Sequence, residues 1–354
     1  MKENSGSESH SYSKLGEGAF GCVLKPPVKC STKEKNIGKQ KNNSDLVGKI
    51  FFDKTDFNTE LKISKKVAKI DKTGSTLLIP KSSCAVKKND VYKNPKTNEC
   101  SIFEEQIELP SKMYQLIMPY GGERLDYIVE EYFDYHMKKM SVSQFLLIMK
   151  PILDGLHLLK KHKSCHQDIK IQNILVTPQN KAIIIDYGLM KPYKDIFSLK
   201  NKDRLKHTYF PYPFEYKLFY YLHIHHCKYS KETCDTELYY NALRNISKHD
   251  KYKELYMNYF TEKELDIIIK ELIERYYKLE EKNKLKDYLY SYVEKVDIYS
   301  VGICFVYLHD VLAIESLPSK DYEKYKEFVR LLIHPDIEKR LTIEKAQKLL
   351  KNLI

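Results

Sequence analysis

The pattern of apolar and polar positions divides the chain into a strand-rich beginning and a helix-rich remainder. Leu15 to Leu24 reads as a strand with a glycine-rich turn, and the Lys- and Asn-rich stretch from Lys25 to Asp45 as a loop. Leu46 to Phe52 is an apolar strand carrying one charge, Lys49, which is costly among such neighbours unless it has a partner. Thr55 to Ile70 places Phe57, Leu61, Ile63, Val67 and Ile70 at helical spacing, with Thr55 or Asp56 as the N-cap. Lys81 to Lys112 is polar and irregular and reads as an extended hairpin, after which Tyr114 to Gly122 passes from a strand into a Gly-Gly bend. Ser143 is the expected cap of a long amphipathic helix bearing Phe145, Met149, Ile152, Leu156 and Leu159 on one face. Ile183 to Ile185 is a short buried strand, and Glu262 to Asn283 a helical run.

Chemistry concentrates in His166-Gln167-Asp168-Ile169-Lys170-Ile171-Gln172-Asn173. A carboxylate, an ammonium and a carboxamide at i, i+2 and i+5 suit in-line phosphoryl transfer: Asp168 to orient a hydroxyl and accept its proton, Lys170 to offset phosphoryl charge, Asn173 to hold Mg²⁺. Asp186, followed by Tyr187 and Gly188, supplies a second magnesium carboxylate. A third motif, Gly16-Glu17-Gly18-Ala19-Phe20-Gly21-Cys22-Val23, lets a backbone hairpin approach phosphate oxygens. The same glycine spacing opens helices in dinucleotide-binding folds, but Pro26 and Pro27 follow too closely for a long helix here.

Together these motifs resemble the eukaryotic-type protein kinases, over residues 14 to about 354. The resemblance implies an α+β, bilobal protein-kinase-like fold: a polar tail at 1–13, a small β-rich N-lobe with one regulatory helix at 14–120, and a larger helical C-lobe at 121–354. It also implies roles. Lys49 would hold the α- and β-phosphates of ATP and pair with Glu60. Leu15, Gly16, Gly18, Gly21, Val23 and Leu175 would line the nucleotide. Met118 would guard the back of the adenine pocket, and because Pro119 has no N–H, Tyr120 or Gly121 would donate to the base. Glu215, in Tyr212-Pro213-Phe214-Glu215, would meet Arg340 as a buried pair. Thr208, seven residues before Glu215, and Lys170 point to Ser/Thr acceptors. Asp297, in Asp297-Ile298-Tyr299-Ser300-Val301-Gly302, would brace the catalytic loop.

Departures from the family pattern also carry expectations. Gln167 stands where an Arg usually binds an activation-loop phosphate, implying activity independent of phosphorylation there. Tyr187 replaces Phe and adds a hydroxyl that needs a partner. Glu215 and Asp297 are far apart, so a helical insertion at about 219–293 is expected, offering a docking surface for a partner. That insertion, the Asp-Tyr-Gly motif and the Lys-, Asn- and Tyr-rich composition resemble the divergent Ser/Thr kinases of large cytoplasmic DNA viruses.

Composition narrows the picture further. The 354 residues carry 60 Lys and Arg against 48 Asp and Glu, a net charge of +12, with 29 Tyr and no Trp. The positive charge is spread, which favours a Lys-coated surface over dedicated nucleic-acid binding. No apolar run approaches a membrane span and the start is polar, so a cytoplasmic protein is expected, in host cytoplasm or virion if viral. Eight cysteines without short paired spacing suit a reducing compartment rather than a disulfide framework. His223, His225, His226, Cys227 and Cys234 could ligate zinc, but without a tight Cys-x-x-Cys pair they read as ordinary side chains of the insertion. The leading function is an ATP- and Mg²⁺-dependent Ser/Thr protein kinase acting on protein substrates. The alternative is a pseudokinase-like nucleotide-binding scaffold, disfavoured because Lys49, Asp168, Asn173 and Asp186 are all present.

Overall fold

Two units make up the chain, residues 1–121 and 122–354. The computed structural model describes residues 13–18, 21–37, 45–101, 110–134, 142–198, 212–216, 218–219, 257–309 and 317–354.

The first unit is built on a six-stranded antiparallel sheet in the order β1-β2-β4-β6-β5-β3. Its strands are β1 (Ser13–Gly18), β2 (Gly21–Lys25), β3 (Lys35–Asn36), β4 (Leu46–Phe51), β5 (Ser82–Lys87) and β6 (Lys112–Pro119). One face packs on helix α1 (Lys54–Ile70), where Phe51 and Leu116 meet Phe57 and Leu61. The other buries Leu24, Ile50, Val86, Met113 and Ile117 beneath Val91 and Cys100. Asp53 caps α1, its carboxylate accepting from the N–H groups of Thr55 and Asp56. The cap therefore lies outside the expected Thr55 or Asp56, because only a residue before the first turn can reach both orphan donors.

The stretch expected as a plain hairpin has a more elaborate connection. β5 and β6 do pair, but between them come helix α2 (Lys88–Tyr92) and a 3₁₀ turn (Pro95–Glu99). This connection returns to β1: Lys14 Nζ donates to the Glu99 carbonyl and Ser101 Oγ to Glu17. It is also cross-linked. Cys22 of β2 pairs with Cys100, and Cys30 with Cys84 of β5. These disulfides correct the expectation of scattered thiols. Their partners lie 78 and 54 residues apart, so sheet topology, not local spacing, brings them together.

The second unit is mainly helical, with α3 (Leu125–Asp134), α4 (Val142–Lys161), α5 (Glu262–Glu281), α6 (Leu285–Ser291), α7 (Val296–Tyr307), α8 (Ser319–Leu332) and α9 (Ile343–Leu353). Short strands β7 (Glu123–Arg124), β9 (Ile174–Val176) and β10 (Ala182–Ile184) form one small sheet. β8 (Ser164–Cys165) and β11 (Lys191–Pro192) form another. α4 already includes Val142, so Ser143 is an exposed residue of its first turn, not its cap. Phe145, Met149, Ile152, Leu156 and Leu159 are all buried, and α4 packs on α9 and β10. Among the described residues α4 alone is long and apolar enough to cross a membrane, and half of its apolar window is buried within this unit. α7 is buried on every side from Val296 to Val306, as a helix through the centre of a core must be. Gly302 permits its close approach to α8, since a Cβ there would come within 2.5 Å of Ile333 Cγ2.

Candidate active site

In the first unit, the glycine turn joins β1 to β2 with Gly18 opposite Gly21. Gly21 is required by the sheet itself: a Cβ would sit 2.4 Å from the Ile50 carbonyl oxygen. Gly16 differs, because no atom lies within 4 Å of its would-be Cβ, so the surrounding unit does not demand glycine there. Leu15 and Val23 are half-buried, with Val23 opposite Lys49 in the ladder. Strand alternation places Lys49 on the same face as Phe51, the face that α1 covers. Glu60 is one helical turn beyond Phe57, and Lys49 Nζ lies 2.7 Å from both of its carboxylate oxygens. Gly48 is held small by Pro27 and by Gln115, whose Oε1 would be 2.5 Å from an added Cβ. Met118, half-buried on β6, faces Val47. The Tyr120 N–H donates to the Asp45 carbonyl at 2.8 Å, and Lys25 Nζ sits over the Tyr120 ring. In this structure that backbone donor is engaged within the first unit.

In the second unit, the segment after β8 is braced from α7. The buried Asp297 carboxylate accepts from the His166 N–H at 2.7 Å and the Gln167 N–H at 2.8 Å. Burial pushes the Asp297 carboxyl up, while the neighbouring His166 and the two N–H donors oppose the shift. His166 is fully buried, and desolvation lowers its pKa, favouring neutral imidazole. Its Nδ1 accepts from the Asp168 N–H, so Nε2 carries the proton facing the Ile185 carbonyl at 3.1 Å. Asp168 then gathers its neighbours. Asn173 Nδ2 donates to its Oδ2 at 2.8 Å and to its backbone carbonyl at 2.9 Å, and Lys170 Nζ lies 3.2 Å from its Oδ1. Leu175 is half-buried on β9, between Ile183 and Arg124.

Asp186 is exposed at the end of β10 in the left-handed region, φ 62°, and one of its oxygens accepts from the Gly188 N–H. The segment is tied back at its entry, where the Ile185 N–H donates to the Asn173 carbonyl. The added hydroxyl of Tyr187 is satisfied by the Ile184 carbonyl at 2.7 Å. Farther along, Glu215 and Arg340 form a bidentate pair at 2.7 and 2.9 Å with both side chains fully buried. The geometry thus assembles, within one unit, a carboxylate flanked by an ammonium and a carboxamide, followed by a turn offering a second carboxylate.

Comparison with known proteins matches residues 9–209, more than half of the 354, to the protein kinase domain. The chain belongs to the protein kinase domain family. Its β-rich and helical units are those of the bilobal kinase fold. Myosin light chain kinase 3 of Rattus norvegicus is 38% identical over 91 residues, 25% of this chain and 11% of that protein. A protein named as a probable serine/threonine-protein kinase of Dictyostelium discoideum is 28% identical over 160 residues, 45% of this chain and 17% of that protein. Cell division control protein 2 homolog 3 of Trypanosoma brucei brucei is 32% identical over 76 residues, 19% of this chain and 24% of that protein. The chain thus spans a quarter or less of each of these relatives.

Some residues singled out in the sequence lie outside the described ones: Thr208, the His223 to Cys234 group, and much of the 219–293 stretch, of which α5 and α6 are described. Sequence reasoning misses two contacts of Gln167. Tyr216 donates to Gln167 Oε1, and Gln167 Nε2 to the Leu189 carbonyl. The sole signal in the sequence was the Gln at a position flanking Asp168, which says nothing about its distant partners.

Proposed function

We propose that this kinase is an ATP- and Mg²⁺-dependent enzyme that phosphorylates Ser and Thr of proteins. The observation that carries the reading is the Asp168 cluster: a buried carboxylate held by Asn173 and Lys170, with its backbone fixed by His166 and Asp297. Asp168 would orient the acceptor hydroxyl and take its proton, while Lys170 would meet charge on the transferring phosphoryl group. Lys49, braced by Glu60, would hold the α- and β-phosphates. Asn173 and Asp186 fit a hard cation. The Asn173 amide nitrogen is used by Asp168, so the atom it can offer is the carbonyl oxygen, and Asp186 adds a carboxylate from an exposed turn. Magnesium would neutralise phosphate charge there.

Ser/Thr preference is supported by the Dictyostelium relative's name and by Lys170, two residues after Asp168. Composition and the long stretch between Glu215 and Asp297 support the likeness to kinases of large cytoplasmic DNA viruses. On that reading the protein works in host cytoplasm, with the 219–293 stretch as a docking surface.

The test is transfer of the γ-phosphate of Mg-ATP to a mixture of basic proteins and casein, by wild type and Asp168→Asn, with the acceptor residues identified. Phosphoserine and phosphothreonine that vanish in the variant are expected. Mg-ATP binding without transfer by wild type would overturn the enzymatic reading in favour of a scaffold.

A further inference from the structure

Gln167 is 2% exposed, and its side chain joins two segments remote from it in sequence. Its Nε2 donates to the Leu189 carbonyl at 2.7 Å and its Oε1 accepts from Tyr216 Oη at 2.8 Å. A carbonyl can only accept, so the amide orientation is fixed: nitrogen toward Leu189, oxygen toward the tyrosine. The backbone at Gln167 is left-handed, φ 66°, a conformation that a non-glycine residue keeps only when its surroundings hold it there. They do so through the Asp297 carboxylate on the N–H and the two partners on the side chain.

The turn that presents Asp186 is thereby held at both ends. At its entry, the Ile185 N–H bonds to Asn173 and the Ile185 carbonyl to His166. At its exit, past the Met190 N–H bond to the Tyr187 carbonyl, the only side chain in the described residues bonded to the Leu189 carbonyl is Gln167, the neighbour of Asp168. Tyr216 in turn is fixed by stacking on Tyr212 at 5.0 Å and by packing on Phe197. It adjoins Glu215, which Arg340 anchors.

We propose that Gln167 is a positioning residue that locks the exit of the Asp186 turn and the Tyr216 segment to the catalytic loop by one buried amide bridge. The inference rests on the kinase reading of Asp168 and Asp186. It assigns the register between those two carboxylates to an uncharged, permanently made contact that needs no modification to form.

Three variants test it, with wild type as the reference. Gln167→Leu removes both arms. Tyr216→Phe removes one hydroxyl and should fold normally. Gln167→Glu keeps the shape, but its carboxylate cannot donate to Leu189, whereas its protonated carboxyl can. Expected are a kcat lowered at least about tenfold in Gln167→Leu with KM for protein substrate within about twofold, a smaller loss in Tyr216→Phe, and no further loss in the double variant. For Gln167→Glu, kcat relative to wild type should rise as pH falls from about 8 to about 6, a recovery that Gln167→Leu cannot show. His166, Asp168, Asp297 and Tyr216 surround this position in wild type, Gln167→Leu and Gln167→Glu alike, so each variant is compared with wild type at the same pH. Transfer by wild type with Tyr216→Phe and Gln167→Glu unchanged at every pH overturns the bridge alone. Absence of transfer by wild type overturns the kinase reading with it.

Discussion

Arg340 and Glu215 form, among the described residues, the one ion pair whose two side chains are both fully buried. Both side chains are fully buried, and Arg340 also donates to the carbonyls of His334 and Lys295. Removing one member leaves an uncompensated charge out of water, which costs about 3–5 kcal/mol. In a unit of this size each kcal/mol shifts the midpoint by roughly 2–4 °C, so Glu215→Leu should lower the melting temperature by about 6–20 °C. Arg340→Met should do the same, by stranding Glu215. The double variant removes both charges and should be more stable than either single. It should still fall short of wild type by about 1–2 kcal/mol, because the His334 and Lys295 carbonyls lose their donor. Urea unfolding of the four proteins gives the cycle directly. A single variant within about 1 kcal/mol of wild type, or a double variant no better than the worse single, would refute the reasoning.

Four further outcomes follow from the structure. Lys49→Met should abolish most phosphoryl transfer yet cost no more than about 1 kcal/mol in stability, since the pair with Glu60 is partly exposed; a large fall in melting temperature would contradict this. Gly48→Ala should destabilise the sheet unit by about 1–3 kcal/mol, because its Cβ meets Gln115 and the Pro27 backbone, and an unchanged urea midpoint would count against that packing. Reduction should lower the melting temperature by releasing Cys22 from Cys100 and Cys30 from Cys84, and alkylation before and after reduction, read by mass spectrometry, checks the pairing. Burial lowers the pKa of His334 from 6.5 to about 4, so the unfolded chain takes up its proton first; that contribution to stability is complete above about pH 6.5 and lost as pH falls to about 4. The full loss is on the order of 3 kcal/mol, and His334→Asn should flatten the melting temperature against pH over this window.

What the sequence made legible, and what it did not, follows from where each residue's partners lie. Asp168, Lys170 and Asn173 are within six residues of one another, so a single loop could bring them together and their chemistry could be read in one line. Lys49 and Glu60 are farther apart, but a lone charge in an apolar strand demands a partner, and the helix that follows must cover one face of that strand. Glu215 and Arg340 are 125 residues apart and were paired by family resemblance, not by any local signal. The cap of α1 is not decided by sequence because Asp53, Thr55 and Asp56 all carry capping side chains, and only the position of the first helical turn selects Asp53.

The disulfides, the closed environment of Gly48 and the engaged N–H of Tyr120 had no such signal, for a common reason. Each depends on which strand neighbours which in a six-stranded sheet, and on the path by which the segment after β5 returns to β1. A glycine says that something approaches closely, but not that it is Pro27 and Gln115. A cysteine says that a bond is possible, but not with which of seven others. Gln167 is the same case in the helical unit. Its sequence neighbours fix its backbone, while its side chain answers to Leu189 and Tyr216, 22 and 49 residues away. The groups proposed to react in the 166–173 loop are therefore local and readable, whereas the groups that hold them in register are distant and emerge only with the fold.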